Sequence, residues 1–316
     1  MIELIGHDWA VRHLQAALVS GQLAQSHLFV GPPSIGKSTL ARALAAELLG
    51  QTERARALAM QGKHPDLLWV EPQEGGSIKV EALREVLRAL MLSPVEGKVR
   101  VAVIQDAHQM TDSSQNALLK TLEEPNPSTV VILVAPSTEA LLPTIVSRCQ
   151  VLNLRPVPTK VIEQALVARG AEPSQAHVIA RLSRGRVGWA LRALSNPDVL
   201  TARQQCLEAL RALLSANRSQ RLAYAEKLAR ADATELQDTL MTWALFWRDV
   251  ARVASGASGE PIHLDLADWL SDLAQHLSPT TLLATIRATM KALRQIDVNV
   301  NTRLALDVLV LQLPRL

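Results

Sequence analysis

The sequence predicts an α/β domain, with a parallel sheet covered by helices on both faces, followed by two all-helical regions. Through about residue 156, short apolar runs alternate with stretches of helical spacing, which is the pattern of strands connected by helices. After the two prolines of LRPVPTK the strand-like runs stop, and Ala, Leu, Arg and Gln dominate. A glycine-containing sequence, GPPSIGKS, lies directly between the first apolar run and the helical pattern that follows it.

The predicted strands are short runs rich in Val, Ile and Leu, as expected of strands buried on both faces. In order they are SHLFVG, ending at Gly31; DLLWV, starting at Asp66; VRVAVIQD, from Val99 to Asp106; and STVVILVA, from Ser128 to Ala135. Three helical patterns lie between them: STLARALAAELL, stopped by Gly50; IKVEALREVLRALML; and SSQNALLKTLEE, stopped by Pro125. This alternation predicts the parallel sheet.

Prolines and glycines divide the rest of the chain. We expect the α/β domain to span residues 1–157. Residues 158–197 contain three short helical patterns separated by Gly and Pro, and residues 198–316 form a longer helical region with a weaker break at SGASGEP. The last region is large enough to fold as an independent bundle.

Composition argues against several classes of protein. The 33 Lys and Arg residues against 30 Asp and Glu give a formal charge of +3, too small and too scattered to indicate nucleic-acid binding by charge alone. Two cysteines, Cys149 and Cys206, exclude a disulfide framework and favour a reducing cytoplasm. The amphipathic N-terminus is unlike a signal peptide, and no apolar run approaches the roughly 20 residues needed to cross a bilayer. We therefore expect a cytoplasmic protein without a membrane segment.

The strongest local signal is a phosphate-binding loop that fits the pattern GxxxxGK[ST] between a strand and a helix. Its glycines let the backbone wrap phosphates, the N–H groups and helix N-terminus supply positive potential, and the lysine reaches the terminal phosphates. The serine hydroxyl is suited to bind Mg²⁺. The candidate nucleotide-binding residues are Gly31, Pro32, Pro33, Ser34, Ile35, Gly36, Lys37 and Ser38.

Hydrolysis needs a second strand that ends in an acid for Mg²⁺ and a residue that orients water. The strand VRVAVIQDAH supplies these groups incompletely in either of two registers. If Gln105 takes the metal position, its amide carries no charge, and Asp106 stands one methylene short of the usual Glu. If Asp106 takes the metal position, Ala107 follows in place of a base. Either register leaves one catalytic position unfilled, unless an intact enzyme has its base elsewhere.

Several stretches, in this order and at these distances, closely resemble the delta-prime subunits of the bacterial DNA polymerase III clamp loader, a AAA+ family. The stretches are HLFVGPPSIGKSTLARALA, HPDLLWVEP, IKVEALREVL, QNALLKTLEEPNPSTVVILVA, LLPTIVSRCQ and NVNTRLALDVLVLQL. NALLKTLEEP and SRC are the most specific of these motifs. The resemblance covers nearly the whole chain, and the ending at residue 316 looks more like delta-prime than like the longer tau form.

The resemblance implies a P-loop AAA+ α/β domain, a small helical lid domain and a C-terminal helical collar domain that joins a five-subunit ring. The implied partners are the ATPase subunits (gamma/tau) and the delta subunit, with the sliding clamp and primed DNA contacted through the complex. In this family the ring opens the clamp and loads it on DNA, while delta-prime acts as a stator. The SRC motif carries an arginine that completes a neighbour's ATP site, which here is Arg148.

Departures from the family pattern suggest a weak site. Where active subunits place Thr or Asn at the end of a strand, this chain has Ala135, which has no side-chain polar group. The phosphate-sensing arginine of motor subunits falls on Gly188. Many relatives carry a four-cysteine zinc module before the HPD segment, but residues 51–66 contain no cysteine, so zinc is not expected.

The sequence thus predicts a subunit of the DNA polymerase III holoenzyme whose own ATP hydrolysis is poor or absent, with binding of ATP and Mg²⁺ at Gly36, Lys37 and Ser38 left open. An active gamma/tau-like ATPase is the alternative, with Asp106 holding Mg²⁺ and Glu123 or Glu124 compensating. A P-loop kinase or small-molecule NTPase is a third possibility, but it leaves about 160 residues of helical chain unexplained.

Overall fold

The first half of the chain folds around a five-stranded parallel sheet with the strand order β2-β3-β4-β1-β5. The computed structural model describes residues 4–72, 76–231, 233–297 and 301–316; the first two residues of the motif NVNTRLALDVLVLQL lie outside this range. The strands are β1 (Ser26–Val30), β2 (Leu67–Val70), β3 (Arg100–Ile104), β4 (Thr129–Ala135) and β5 (Gln150–Asn153). The four predicted strands are present, and β5 is an additional edge strand.

Helices cover both faces of this sheet. They are α1 (Asp8–Val19), α2 (Lys37–Leu49), α3 (Glu53–Met60), α4 (Val80–Leu90), α5 (Asp112–Glu123) and α6 (Pro143–Val146). Alternate residues of the central strands enter two separate cores: Phe29 packs with α1 and α2, whereas Leu28 packs with α4 and α5. Because successive strand side chains point to opposite faces, this division explains why the strands read as continuous apolar runs. The predicted two-sided α/β sheet is confirmed.

The second half is helical throughout the part that the structure describes. Three short helices follow the sheet, α7 (Thr159–Val167), α8 (Pro173–Ser183) and α9 (Val187–Ser195). The remaining helices are α10 (Asp198–Ser215), α11 (Arg218–Leu228), α12 (Ala233–Ala254), α13 (Ala267–His276), α14 (Pro279–Asp297) and α15 (Thr302–Gln312). Their core is centred on Trp243, Phe246 and Trp247, all fully buried on α12. These three aromatic side chains serve packing, as their helical spacing predicts.

The chain forms two compact units by its internal contacts. One comprises Met1–Ala176 with Ser183–Leu191, and the other His177–Leu182 with Arg192–Leu316. In the second unit, the Arg181 guanidinium on α8 donates to Glu260 Oε2 at 2.6 Å and to the Pro261 carbonyl at 3.0 Å. None of the described helices is long and apolar enough to span a bilayer.

Candidate nucleotide-binding site and Arg148

The phosphate loop connects β1 to α2 at the carboxyl edge of the sheet. Gly31 has φ 147°, and a Cβ at this position would stand 2.4 Å from the Leu154 carbonyl oxygen, so the close approach of two backbones requires glycine here. Gly36 is the N-cap of α2, and the buried Ile35 side chain anchors the loop to the core beneath it. The eight loop residues therefore lie where the sequence places them, between a buried strand and a helix N-terminus.

The Lys37 side chain folds back and contacts the backbone of the phosphate loop. Its Nζ donates to the Gly31 carbonyl at 2.6 Å and to the Pro32 carbonyl at 2.9 Å. Burial lowers the pKa of Lys37 to about 8, and the charge of Asp106 opposes this shift. The lysine is thus a cation held beside the backbone cradle, in position for an anionic group at the helix N-terminus.

Gln105 is the partner of the loop serine. The Ser38 hydroxyl donates to Gln105 Oε1 at 2.7 Å, and the Gln105 backbone N–H is fixed by the Val70 carbonyl at 2.8 Å. Asp106 comes next, in the left-handed region with φ 49° and ψ 49°. Of the two registers open from the sequence, the geometry places the neutral amide, and not the carboxylate, beside the serine hydroxyl.

The end of β4 lies next to the loop, because β4 is the neighbour of β1 in the sheet. It ends in Ala135, which is fully buried, and the following Pro136 carbonyl accepts the Gly31 N–H at 3.2 Å. Ala135 brings only a methyl group to this edge of the sheet. The structure therefore offers no side-chain hydrogen bond from this position to a phosphate or a water.

Two segments distant in sequence contact the loop backbone. The His7 Nε2–H donates to the Ile35 carbonyl at 3.0 Å, and the Gly188 N–H on α9 donates to the Ser34 carbonyl at 2.8 Å. A Cβ on Gly188 would stand 3.0 Å from that Ser34 oxygen, so a side chain there would press on the loop. The resemblance singled out Gly188 as the position of a missing arginine, and it did not indicate that the Gly188 N–H binds a loop carbonyl.

Arg148 lies just beyond the short helix α6, and its side chain contacts the C-terminal end of α5 and the backbone of α6. Nη2 is 2.7 Å from Glu123 Oε1, and Nη1 donates to the Thr144 carbonyl at 2.9 Å. The side chain is about one third exposed. The neighbouring Cys149 is half-buried, and burial raises the pKa of its thiol to about 12, so it is protonated and unreactive at neutral pH.

The described residues include no group of three or more His, Cys, Asp or Glu side chains arranged to hold a metal ion. A Mg²⁺ ion bound at the Ser38 hydroxyl would have the Gln105 amide oxygen beside it, because these two groups are hydrogen-bonded. Both are neutral, whereas Mg²⁺ is usually held through one or two carboxylates together with substrate phosphates. The nearby acid is Asp106, which follows Gln105 and whose charge acts on Lys37.

Comparison with known proteins places the chain in a family. The family described as DNA polymerase III, delta subunit, matches residues 6–158, and the family described as DNA polymerase III, delta subunit, C terminal, matches residues 197–314. The DNA polymerase III subunit delta′ of Bacillus subtilis is 28% identical over 315 residues, covering 95% of this chain and 94% of that protein. The delta′ subunit of Escherichia coli is 30% identical over 295 residues, with coverages of 89% and 86%.

The subunit tau of Escherichia coli is 28% identical over 315 residues, which is 92% of this chain but only 47% of tau. This chain therefore matches delta′ proteins over nearly their full length and tau over about half of its length. The first family match covers the α/β sheet of the structure, and the second covers its C-terminal helices. The chain belongs to the family of DNA polymerase III delta′ subunits.

Proposed function

We propose that this chain is the delta′ stator of a bacterial replicative clamp loader, the ATP-driven ring that opens the sliding clamp and loads it on primed DNA. The observation that carries the proposal is the coincidence of near full-length similarity to delta′ subunits with a phosphate loop whose serine faces a neutral amide, Gln105. A stator needs the AAA+ shape of its neighbours but not their turnover.

The proposed organisation has three parts: an α/β nucleotide-binding-like domain at 1–157, a helical lid domain at 158–197 and a helical collar domain at 198–316. The collar is proposed to join the gamma/tau ATPase subunits and the delta subunit in a hetero-pentameric ring in the cytoplasm. The sliding clamp and primed DNA are contacted through this complex. The separate aromatic core on α12 supports a helical collar distinct from the α/β domain.

ATP binding is supported by the loop and its cation. Gly36, Lys37 and Ser38 would hold the phosphates, because backbone N–H groups at the α2 N-terminus and the Lys37 ammonium provide the positive potential that a triphosphate needs. Bound ATP would bring its own phosphate oxygens to any Mg²⁺ at Ser38. Zinc has no role in the proposal.

Poor or absent hydrolysis is supported by two side chains at the carboxyl edge of the sheet. Gln105 gives Mg²⁺ no negative charge, and Ala135 cannot hydrogen-bond a γ-phosphate or an attacking water. The alternative of an active gamma/tau-like ATPase needs Asp106 at the metal position and a compensating acid. Glu123 is already paired with Arg148 and Ser38 with Gln105, and Glu124 is exposed at the C-cap of α5; these three observations support the stator.

Arg148 is proposed to act in trans, as the arginine finger of a neighbouring ATPase subunit. A guanidinium is planar and permanently charged, so it can bind a γ-phosphate bidentately and stabilise charge during phosphoryl transfer. Its partial exposure next to α6 leaves it accessible to another subunit. A lysine would be a poorer substitute, because it lacks the forked geometry.

The test is the clamp- and DNA-stimulated ATPase rate of a ring reconstituted from gamma/tau, delta and either the native chain or Arg148→Ala. Arginine fingers contribute roughly 10³ to 10⁵ in rate in well-studied systems, although one site in a multi-site ring will show less. We expect a large loss in the assembled mutant ring and negligible turnover by the isolated native chain. Robust turnover by the isolated chain that disappears in Lys37→Ala would establish the active-ATPase alternative.

A further inference from the structure

The side chain of Arg148 is held at two points that belong to different elements. Glu123, at the end of α5, lies 2.7 Å from Nη2, and the Thr144 carbonyl of α6 accepts from Nη1 at 2.9 Å. Nη1 also donates to the Ser147 hydroxyl at 3.4 Å. A guanidinium carries five N–H groups, so Nε and the second N–H of Nη2 remain for another ligand while the orientation of the side chain is fixed.

Helix electrostatics do not explain an acid at this position. Glu123 is the last residue of α5 and Glu124 is its C-cap, so two carboxylates stand at the negative end of a helix dipole. Anions are unfavourable there, and Lys120 is the basic residue in the last turn. The pairing with Arg148 gives Glu123 a favourable partner that the helix itself does not supply. Glu124, one residue later, provides a natural comparison.

We propose that Glu123 is a positioning residue that orients the Arg148 guanidinium for the nucleotide of a neighbouring subunit. The inference rests on the trans role of Arg148 proposed above. A long arginine side chain samples many rotamers, and fixing it costs conformational entropy at the moment of reaction. A carboxylate that selects one orientation beforehand raises the fraction of rings in which the arginine is in place.

The expected effect is modest because both side chains are partly exposed. An exposed ion pair of this kind contributes roughly 0.4 to 1 kcal/mol, which corresponds to about a two- to fivefold change in the correctly oriented fraction. In the complete ring, Glu123→Ala should lower the stimulated kcat by about two- to fivefold and change the KM for ATP by less than about twofold. Glu123→Gln, which keeps an acceptor oxygen, should give an intermediate kcat.

The matched control is Glu124→Ala, which removes the adjacent exposed carboxylate and should leave the native rate. Four rings complete a double-mutant cycle: native, Glu123→Ala, Arg148→Ala and the double variant, each checked for assembly. Because Glu123 acts through Arg148, its substitution should have no effect once Arg148 is alanine.

The possible outcomes distinguish the positioning role of Glu123 from the trans role of Arg148. A rate loss in Glu123→Ala that persists in the Arg148→Ala background would show that Glu123 acts by another route and would overturn the positioning role. A large loss in Arg148→Ala with a native rate in Glu123→Ala would overturn positioning while leaving the trans arginine intact. A native rate in Arg148→Ala would refute the trans arginine, and the positioning role with it.

Discussion

At the scale of single residues, burial changes the pKa of Lys37, the lysine of the phosphate-binding loop. Its ammonium is hydrogen-bonded to the Gly31 and Pro32 carbonyls, and burial still lowers its pKa to about 8. A bound triphosphate would place negative charge beside Nζ and raise that pKa again. Binding of a triphosphate is therefore coupled to the protonation of this one side chain above pH 8.

We predict that the affinity of the chain for ATP decreases as the pH rises from 7 to 9. Lys37 is charged below pH 8, whereas above pH 8 binding must take up a proton; a free-state pKa of about 8 implies up to about a tenfold increase in Kd over this range. Titration of a fluorescent ATP analogue at several pH values measures this change. Lys37→Ala is the control and should abolish saturable binding, and a Kd of the native chain that is constant across pH 7 to 9 would contradict the coupling.

At the scale of elements, one arginine ties the end of the chain to the helices around it. Arg221 on α11 is almost fully buried, and its guanidinium donates to four backbone carbonyls, those of Leu214, Val310, Leu313 and Pro314. Helix C-termini leave carbonyls without intrahelical partners, and here a single planar fork satisfies the ends of both α10 and α15. Lysine cannot reproduce that fork.

Arg221→Lys should lower the free energy of unfolding of the second unit by about 2 to 4 kcal/mol, because it leaves buried carbonyls unsatisfied around a compact ammonium. Urea unfolding followed by tryptophan fluorescence measures the loss, since Trp243 and Trp247 report on this core. Arg218→Lys, an exposed position on the same helix, is the matched control and should be within about 0.5 kcal/mol of the native chain. Equal stabilities of the two variants would show that the four carbonyl contacts are not needed.

The sequence predicted those elements whose burial leaves a continuous apolar run, such as β1, β3 and β4. It did not predict β5, an edge strand in which only Leu152 is buried, nor α3, whose buried residues are two alanines. The phosphate loop was predictable because its residues are consecutive in the sequence. The pairing of Glu123 with Arg148 was not, because it depends on how α5 and α6 pack across 25 residues of chain.

At the scale of the whole molecule, the two units contain different buried ionisable groups. In the first unit, His27 lies fully buried in β1, an interior strand of the sheet, and burial lowers its pKa to about 4. In the second, the Asp249 carboxylate accepts from the backbone N–H of His263 and is 2.9 Å from its Nδ1, and this partner holds the pKa of Asp249 below its usual value despite burial. Burial also lowers the pKa of His263, so each unit contains a buried imidazole that resists protonation in the folded chain, and in the sheet this group is His27.

The direction of this pH dependence follows from the number of protons that His27 binds in the folded and in the unfolded chain. His27 is neutral in the folded chain down to about pH 4, whereas in the unfolded chain it binds a proton below about pH 6.5, so stability falls as the pH decreases between these values. At pH 5 the loss should be about 2 kcal/mol relative to pH 7.5. His27→Leu removes the titrating group and should remove this part of the pH dependence from the first unit.

Hydrogen exchange followed by mass spectrometry at pH 7 and pH 5 measures the change separately in each unit, once rates are corrected for the intrinsic effect of pH. Peptides from β1 and β4 should lose protection at pH 5 in the native chain but not in His27→Leu, while peptides from α12 should respond equally in both. His276→Gln is the control, because His276 is exposed in the second unit and its replacement should leave the acid response of the sheet unchanged. An acid response in His27→Leu equal to that of the native chain would assign the sensitivity of the sheet to other groups.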